Sequence, residues 1–280
     1  MNISIIIPTY NEKGVLEKCI KSLSEQTQKD FEIIIVDDGS TDNSKLKTQN
    51  SKLQFKTQKL TYLEQEHKGP GAARNLGAKE AKGDILVFVD ADMTFDKDFL
   101  VNLVKLIIEG KTSGTFSKEE YVSNWESVWA RCWSINEGWE SKRRHPKKFL
   151  DHQPVFRAIL KSEFEKVGGF TPGGYDDDWS LSKKLGYEAV NGPDAIFYHK
   201  NPDNLIEVFD HSKWVSKRKY KLGIVGKIYN LIVYCLPDSI WQGFWKSFFK
   251  KEPLFIVFKI VYDFGAFMGI LESLLGKQAK

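Results

Sequence analysis

An α/β fold built on one mostly parallel sheet flanked by helices is what this 280-residue sequence predicts. Apolar runs at 3–7, 31–36, 60–63 and 84–89 have the continuous, β-branched character of strands buried on both faces. Segments of helical period stand between them. Polar or acidic residues gather where the strands run out, the place where open α/β sheets bind ligands.

The first strand, Ile3–Ile7, stops at Pro8. Residues 14–26 place apolar side chains at 15, 16, 19, 20 and 23, a helical spacing. The strand 31–36 ends in Asp37-Asp38-Gly39-Ser40, and Ser40, Thr41 and Asp42 offer a cap to a short polar helix. A weaker strand at 60–63 precedes an alanine-rich helix at 71–81. The strand 84–89 leads into Asp90-Ala91-Asp92, and 96–109 is again amphipathic. Further on, 118–140 reads as a helix with Trp125, Trp129, Trp133 and Trp139 mostly on one face. A strand at 155–160, a flexible glycine-rich loop at 168–174, a helix at 176–185 and a last strand within 189–198 follow, then helical segments.

Composition removes several function classes. Lys and Arg number 41 against 37 Asp and Glu, a net charge of +4, which is too balanced for a dedicated nucleic-acid binder. Three scattered cysteines, at 19, 132 and 235, make neither a disulfide framework nor a zinc motif, and they fit a reducing compartment. No basic stretch precedes the first apolar run, so a secretory signal is not expected. Charge is uneven along the chain: residues 200–280 hold 13 Lys and Arg against 7 Asp and Glu, with 15 of the 37 aromatic residues. A basic, aromatic-rich segment behind a faintly acidic body suits a membrane surface or an anionic partner.

Chemistry concentrates at three strand ends: Thr9-Tyr10-Asn11-Glu12, Asp37-Asp38, and Asp90 with Asp92. Asp90 and Asp92, two apart after a strand, diverge, so one suits a ribose hydroxyl and the other a divalent cation bound through oxygen. Gly69–Arg74 approaches the dinucleotide fingerprint G-x-G-x-x-G, but Arg74 stands in the sixth place and the segment follows the third strand, which argues against a dehydrogenase.

Four motifs in order, Ile-Pro-Thr-Tyr-Asn-Glu (7–12), Val-Asp-Asp-Gly-Ser-Thr-Asp (36–42), Gly-Pro-Gly-Ala-Ala-Arg-Asn (69–75) and Asp-Ala-Asp (90–92), resemble the family 2 glycosyltransferases. The resemblance is dense over 1–100, returns at 167–186 and 198–221, and is thin elsewhere. It implies a GT-A fold and an inverting transferase that uses a nucleotide-diphosphate sugar. By that resemblance Pro8, Thr9, Tyr10, Glu12, Gly71 and Ala91 line the nucleotide pocket. Asp38 accepts from a ring N–H of the base, uracil in the commonest members, and Arg74 lies near the base or diphosphate. Asp90 takes the ribose, and Asp92 binds Mn²⁺ or Mg²⁺. Tyr175-Asp176-Asp177-Asp178-Trp179 is similar to the family's Glu-Asp-x-Asp-Leu motif, with Asp177 in place of the Glu and Ser180 in place of the second Asp. The general base is then Asp178, with Asp177 the alternative, and Trp179 faces the acceptor. His199 falls where relatives carry a histidine that completes the metal shell or meets the diphosphate. Lys213, Lys217, Arg218 and Lys219 are candidates for the diphosphate or for anionic lipid.

The expected organisation is a catalytic domain at 1–222, with a nucleotide-binding half at 1–100 and an acceptor half at 101–222, then a helical, membrane-associated extension at 223–280. Within it 254–275 is interrupted by Lys259, Asp263 and Glu272, so an interfacial amphipathic helix is expected, not a membrane span. The sequence thus reads as a metal-dependent transferase, peripheral on the cytoplasmic membrane face through 237–280. It would move a sugar, from a UDP-sugar in the first instance, to a hydroxyl of a glycan or polyprenyl-linked glycan. The rival readings are a sugar nucleotidyltransferase, which would want a glycine-rich basic loop where Thr-Tyr-Asn-Glu stands, and a non-catalytic sugar-nucleotide-binding scaffold.

Overall fold

The computed structural model describes residues 1–12, 14–42, 59–172, 177–218 and 220–276. The isoleucine-rich runs form the middle of an eight-stranded sheet of order β3-β2-β1-β4-β9-β6-β10-β8. Here β1 is Ile3–Thr9, β2 Phe31–Asp37, β3 Lys59–Glu64 and β4 Ile85–Phe88, all parallel to one another. β6 (Gly114–Phe116), β8 (His152–Gln153), β9 (Ala158–Leu160) and β10 (Ala189–Asn191) complete it, with β9 antiparallel to both β4 and β6. Helix Leu16–Ser24 buries Leu16, Cys19, Ile20 and Leu23, and helix Phe99–Ile108 buries Phe99, Leu100, Leu103, Val104 and Ile107, in one core with the odd-numbered isoleucines of β1 and β2. Helix Pro70–Glu80 and the buried phenylalanines 88, 156, 164 and 170 cover the other face.

A second sheet, β5 (Met93–Phe95), β11 (Phe197–His199) and β7 (Glu120–Val122), is entered directly from the carboxyl end of β4. Its existence corrects the helix expected over 118–140. Residues 120–122 pair with β11 instead, and the helix is confined to Val128–Asn136, so Trp125 and Trp139 lie outside it. Likewise 189–198 makes two strands, parted where Asp194 takes a positive φ of 61° after Gly192-Pro193. The helix expected from 176 runs Trp179–Leu185. The loop at 168–172 is pinned, not flexible: Asn75 bonds both the N–H and the carbonyl of Phe170 at 2.9 Å, and the Phe170 ring is buried. The polar helix expected after Asp42, and residues Gly173–Asp176, lie outside the described residues.

The expected boundary at 222 cuts through a shared core. Helices Leu205–Val215, Gly223–Val233, Leu236–Lys250 and Phe255–Leu274 pack as a bundle, and Phe255 and Phe258 are buried against Cys132, Trp133 and Val208. Gly265 and Gly269 let helix Phe255–Leu274 cross close over Leu205–Val215, because a Cβ at either would collide with Ser212 or with Lys213 and Ser216. Lys259 and Asp263, which the sequence suggested would face an interface, form a buried ion pair at 2.7 Å. Exposed apolar side chains lie on the two preceding helices, at Ile224, Ile228, Ile232, Trp241, Phe244 and Phe248, and on the last helix itself at Val257, Phe264 and Leu271. Among the described residues no helix is long and apolar enough to cross a membrane.

Candidate active site

Parallel register puts Thr9 opposite Asp37 at the ends of β1 and β2, and β4 ends two residues before Asp90. All three acidic clusters therefore meet at one edge of the sheet. Arg74, in the helix that follows β3, is buried there. Its Nη2 donates to Asp90 Oδ1 at 2.8 Å and its Nη1 to Asp178 Oδ1. The other oxygen of Asp90 accepts from Arg157 Nη1 at 3.1 Å. Burial alone would raise the Asp90 pKa, but Arg157 and Arg74 hold it below the usual carboxylate range. Burial would lower the Arg74 pKa, and Asp178 and Asp90 reverse that and raise it. Asp90, expected on a ribose hydroxyl, is thus clasped by two guanidinium groups.

The adjacent aspartates have different surroundings. Asp177 is buried, and its Oδ2 accepts from the Gly71 N–H at 3.0 Å. A Cβ on residue 71 would strike that carboxylate, which explains the glycine. Asp177 therefore fastens the start of helix Pro70–Glu80, a structural task that sits poorly with its place as the alternative base, because a base must be reached by substrate. Asp178 keeps a third of its side chain exposed and makes no side-chain cap to the helix it precedes. Trp179, next to it, is 47 % exposed.

On the other side, β11 runs antiparallel to β5 with His199 opposite Met93, which brings His199 Nε2 to 3.0 Å from Asp92 Oδ2. His199 Nδ1 lies 2.9 Å from Glu120 Oε1, which also accepts from Arg144 Nη1 at 2.6 Å. Burial and Arg144 would lower the His199 pKa, yet Asp92 and Glu120 raise it above its ordinary value. Glu120, against the opposing effect of burial, is held at about 2 by Arg144 and His199. Glu12 is pushed up to about 8, first by burial and then by the Asp92 and Asp90 charges. That accumulation of carboxylate charge invites a cation. One carboxylate and one imidazole suit a hard divalent ion that takes its remaining ligands from phosphate oxygens and water. Among the described residues no group of three His, Cys, Asp or Glu side chains is placed to hold a metal by itself, so such an ion would need substrate oxygens.

The remaining pocket candidates divide in the same way. Pro8 and Ala91 are buried backbone, and Thr9 is buried with its Oγ1 unbonded among the described residues. Tyr10 is exposed and stacks on His67 with ring centroids 4.1 Å apart. Asp38, expected at the base, has a local task as well. It is 2 % exposed and its carboxylate already accepts from Gln65 Nε2, Lys68 N and Gly69 N at 2.6–2.8 Å, with His67 Nδ1 at 2.9 Å. With three hydrogen bonds so accepted, its carboxylate ties down the 65–69 loop. Lys213 and Lys217 are likewise spent on Glu272, each at 2.7 Å, and Lys219 lies outside the described residues. Sequence reasoning missed Arg157, Glu120 and Arg144. A lone arginine inside the apolar run Val155–Leu160 was the one available signal.

Residues 4–168 match the family model for glycosyl transferase family 2, more than half of the chain. The glycosyltransferase GlyA of Streptococcus pneumoniae serotype 4 is 39% identical over 107 residues, 38% of this chain and 15% of GlyA. A GalNAc(5)-diNAcBac-PP-undecaprenol beta-1,3-glucosyltransferase of Campylobacter jejuni is 39% identical over 109 residues, 39% of this chain and 35% of that protein. The matches thus span well under half the length of these relatives. Among solved structures, the mannosyltransferase PcManGT of Pyrobaculum calidifontis, in complex with GDP-Man and Mn²⁺, superposes with a TM-score of 0.63 at 20% identity, over 99% of this chain and 88% of that one. TarS 1-349 of S. aureus in complex with UDP-GlcNAc gives 0.59 at 16% identity, over 99% and 93%. With the fold of these GT-A enzymes and a family match over most of its sheet, the chain belongs to glycosyl transferase family 2.

Proposed function

We propose that the chain transfers a sugar, with inversion, from a nucleotide-diphosphate sugar (a UDP-sugar in the first instance) to a hydroxyl of a glycan or lipid-linked glycan. One observation carries this reading. Arg74 ties the reachable carboxylate Asp178 to Asp90, so the candidate base is held in register with the nucleotide edge of the sheet. The acceptor oxygen forms a bond to the anomeric carbon as the bond to the diphosphate breaks, and Asp178 takes the hydroxyl proton. Arg74 and Arg157 keep Asp90 ionised beneath the nucleotide. Asp92 and His199 would hold Mn²⁺ or Mg²⁺, which when bound neutralises charge on the departing diphosphate. Relatives in complex with UDP-GlcNAc or GDP-Man with Mn²⁺ support a nucleotide-sugar donor.

In the same reading the chain rests peripherally on the cytoplasmic face of a membrane. Support comes from the exposed apolar face of helices Gly223–Val233 and Leu236–Lys250, bordered by exposed Lys221, Lys250 and Lys251. The deciding experiment is thermal shift and turnover against a panel of UDP- and GDP-sugars with and without Mn²⁺. Stabilisation by one donor, with release of its nucleoside diphosphate, is the expected result; no response to any donor would overturn it.

A further inference from the structure

A cavity of about 430 Å³ lies between helix Val128–Asn136 and the bundle that closes over it, and nothing in the donor chemistry uses it. Its size is that of a small-molecule site, roughly 300–1,000 Å³. Arg144, Arg218, Lys246 and Lys259 line it, against Glu137 as the one acidic side chain on the wall. Arg144 is paired with Glu120 and Lys259 with Asp263. Arg218 and Lys246 have no ion-pair partner among the described residues, and Arg144 Nε is buried without a hydrogen-bond partner among them. Burial and then the neighbouring Lys259 lower the Lys246 pKa, a strain that an incoming anion relieves.

Two connections give the cavity a direction. Arg144 reaches Glu120 and Glu120 reaches His199, so one wall is two contacts from the proposed cation pair of His199 and Asp92. At the opposite side Val233, Tyr234, Gln242 and Lys246 come from the helices that carry the exposed apolar face. The geometry points to this cavity as the subsite for a phosphate or diphosphate group of the acceptor, with its glycan toward His199 and an isoprenoid-type chain along the exposed helices. The assignment rests on the transferase reading for the word acceptor, but the binding site itself does not.

The test is titration of the full chain, in chelator, with farnesyl diphosphate, farnesol, inorganic diphosphate and phosphatidylglycerol vesicles, followed by tryptophan emission. Farnesyl diphosphate should bind about tenfold or more tightly than farnesol or inorganic diphosphate. The double variant Arg218→Gln with Lys246→Gln should weaken it by at least about tenfold, the worth of a lost charge-assisted contact. Its melting temperature, and its affinity for UDP with Mn²⁺, should stay at parental values. Parental binding of farnesyl diphosphate by the double variant overturns the site. A parallel loss of UDP affinity overturns it too, since the cations would then serve the donor. Equal displacement by phosphatidylglycerol vesicles at matched phosphate assigns the cavity to bilayer headgroups, and equal affinity for inorganic diphosphate removes the lipid chain from it. If farnesyl diphosphate binds as expected while no nucleotide sugar is turned over, the site stands and the transferase reading falls.

Discussion

Arg74 donates to Asp178 across 104 residues of sequence, so one guanidinium joins the first helix after β3 to the residue that precedes helix Trp179–Leu185. The two aspartates at 177 and 178 are adjacent in sequence and opposite in circumstance, and their substitutions should separate. Asp178→Asn retains a hydrogen-bonding tip but accepts no proton. It should lower kcat by on the order of 10²–10⁴-fold with donor affinity nearly unchanged. Asp177→Asn should instead cost about 1–3 kcal/mol of stability, because the Gly71 N–H loses a carboxylate acceptor in a buried place. Steady-state kinetics with denaturant melts distinguish the two; a dead Asp177→Asn of normal stability would move the base by one position.

Asp92→Asn should abolish most Mn²⁺-dependent stabilisation by a nucleoside diphosphate and leave the metal-free melting temperature within a few degrees of the parent. His199→Gln should do so in part. Thermal shift with Mn²⁺, with Mg²⁺ and with chelator reads this directly. Full activity of either variant in chelator would end the cation role.

Glu12 gives a pH dependence whose sign can be worked out. Its carboxyl stands at about 8 against an ordinary 4.5, so the folded chain holds a proton that the unfolded chain releases. Its contribution to stability is complete below pH 4.5 and is lost as pH rises through about 8. His199, raised above its ordinary 6.5, loses in the same direction at the upper end. Glu120 acts lower down: held at about 2, it adds stability above pH 4.5 that disappears as pH falls toward 2. Glu12→Gln should therefore flatten, without abolishing, the alkaline decline of the melting temperature between about pH 5 and about pH 9 in chelator. Superimposable profiles of variant and parent would show that Glu12 is not the group responsible.

Membrane contact and tail packing should likewise come apart. Trp241→Ser with Phe248→Ser touches exposed side chains and should reduce cosedimentation with anionic vesicles at unchanged stability. Gly269→Val forces apart the crossing of Phe255–Leu274 over Leu205–Val215 and should destabilise the fold, seen as early exchange of amide hydrogens in both helices. Deleting 237–280 would uncover Cys132, Trp133 and Val208 and unfold more than an anchor.

What the sequence disclosed and what it hid follow from the range of the forces involved. Strands at Ile3, Phe31 and Ile85 were legible because apolar runs between turn residues need no distant partner to be recognised. Asp90 and Asp92 draw attention in the sequence because they follow a strand, and Asp178 and His199 because their segments resemble the family's motifs. Arg157 and Glu120 were not, since their meaning lies in pairings with Asp90 and His199 that only tertiary structure creates. The segment 118–140 deceived because tryptophans at helical spacing mask a short strand whose stability comes from β11. The last helix deceived because its charges read as the polar face of an interfacial helix, while Lys259 and Asp263 satisfy one another inside.

The core that Cys132 and Trp133 share with Phe255 and Phe258 has a consequence for synthesis. Arg131 meets Glu252 at 2.5 Å across 121 residues of chain, so this contact closes late. As the polypeptide leaves the ribosome, β1, β2 and β3 have all their strand partners by residue 88, while β4 still lacks β9. The helix Val128–Asn136 must wait, apolar face uncovered, until helix Phe255–Leu274 has been made. The first half of the sheet is thus paired early, and the cavity beside helix Val128–Asn136 closes only when the final helix arrives.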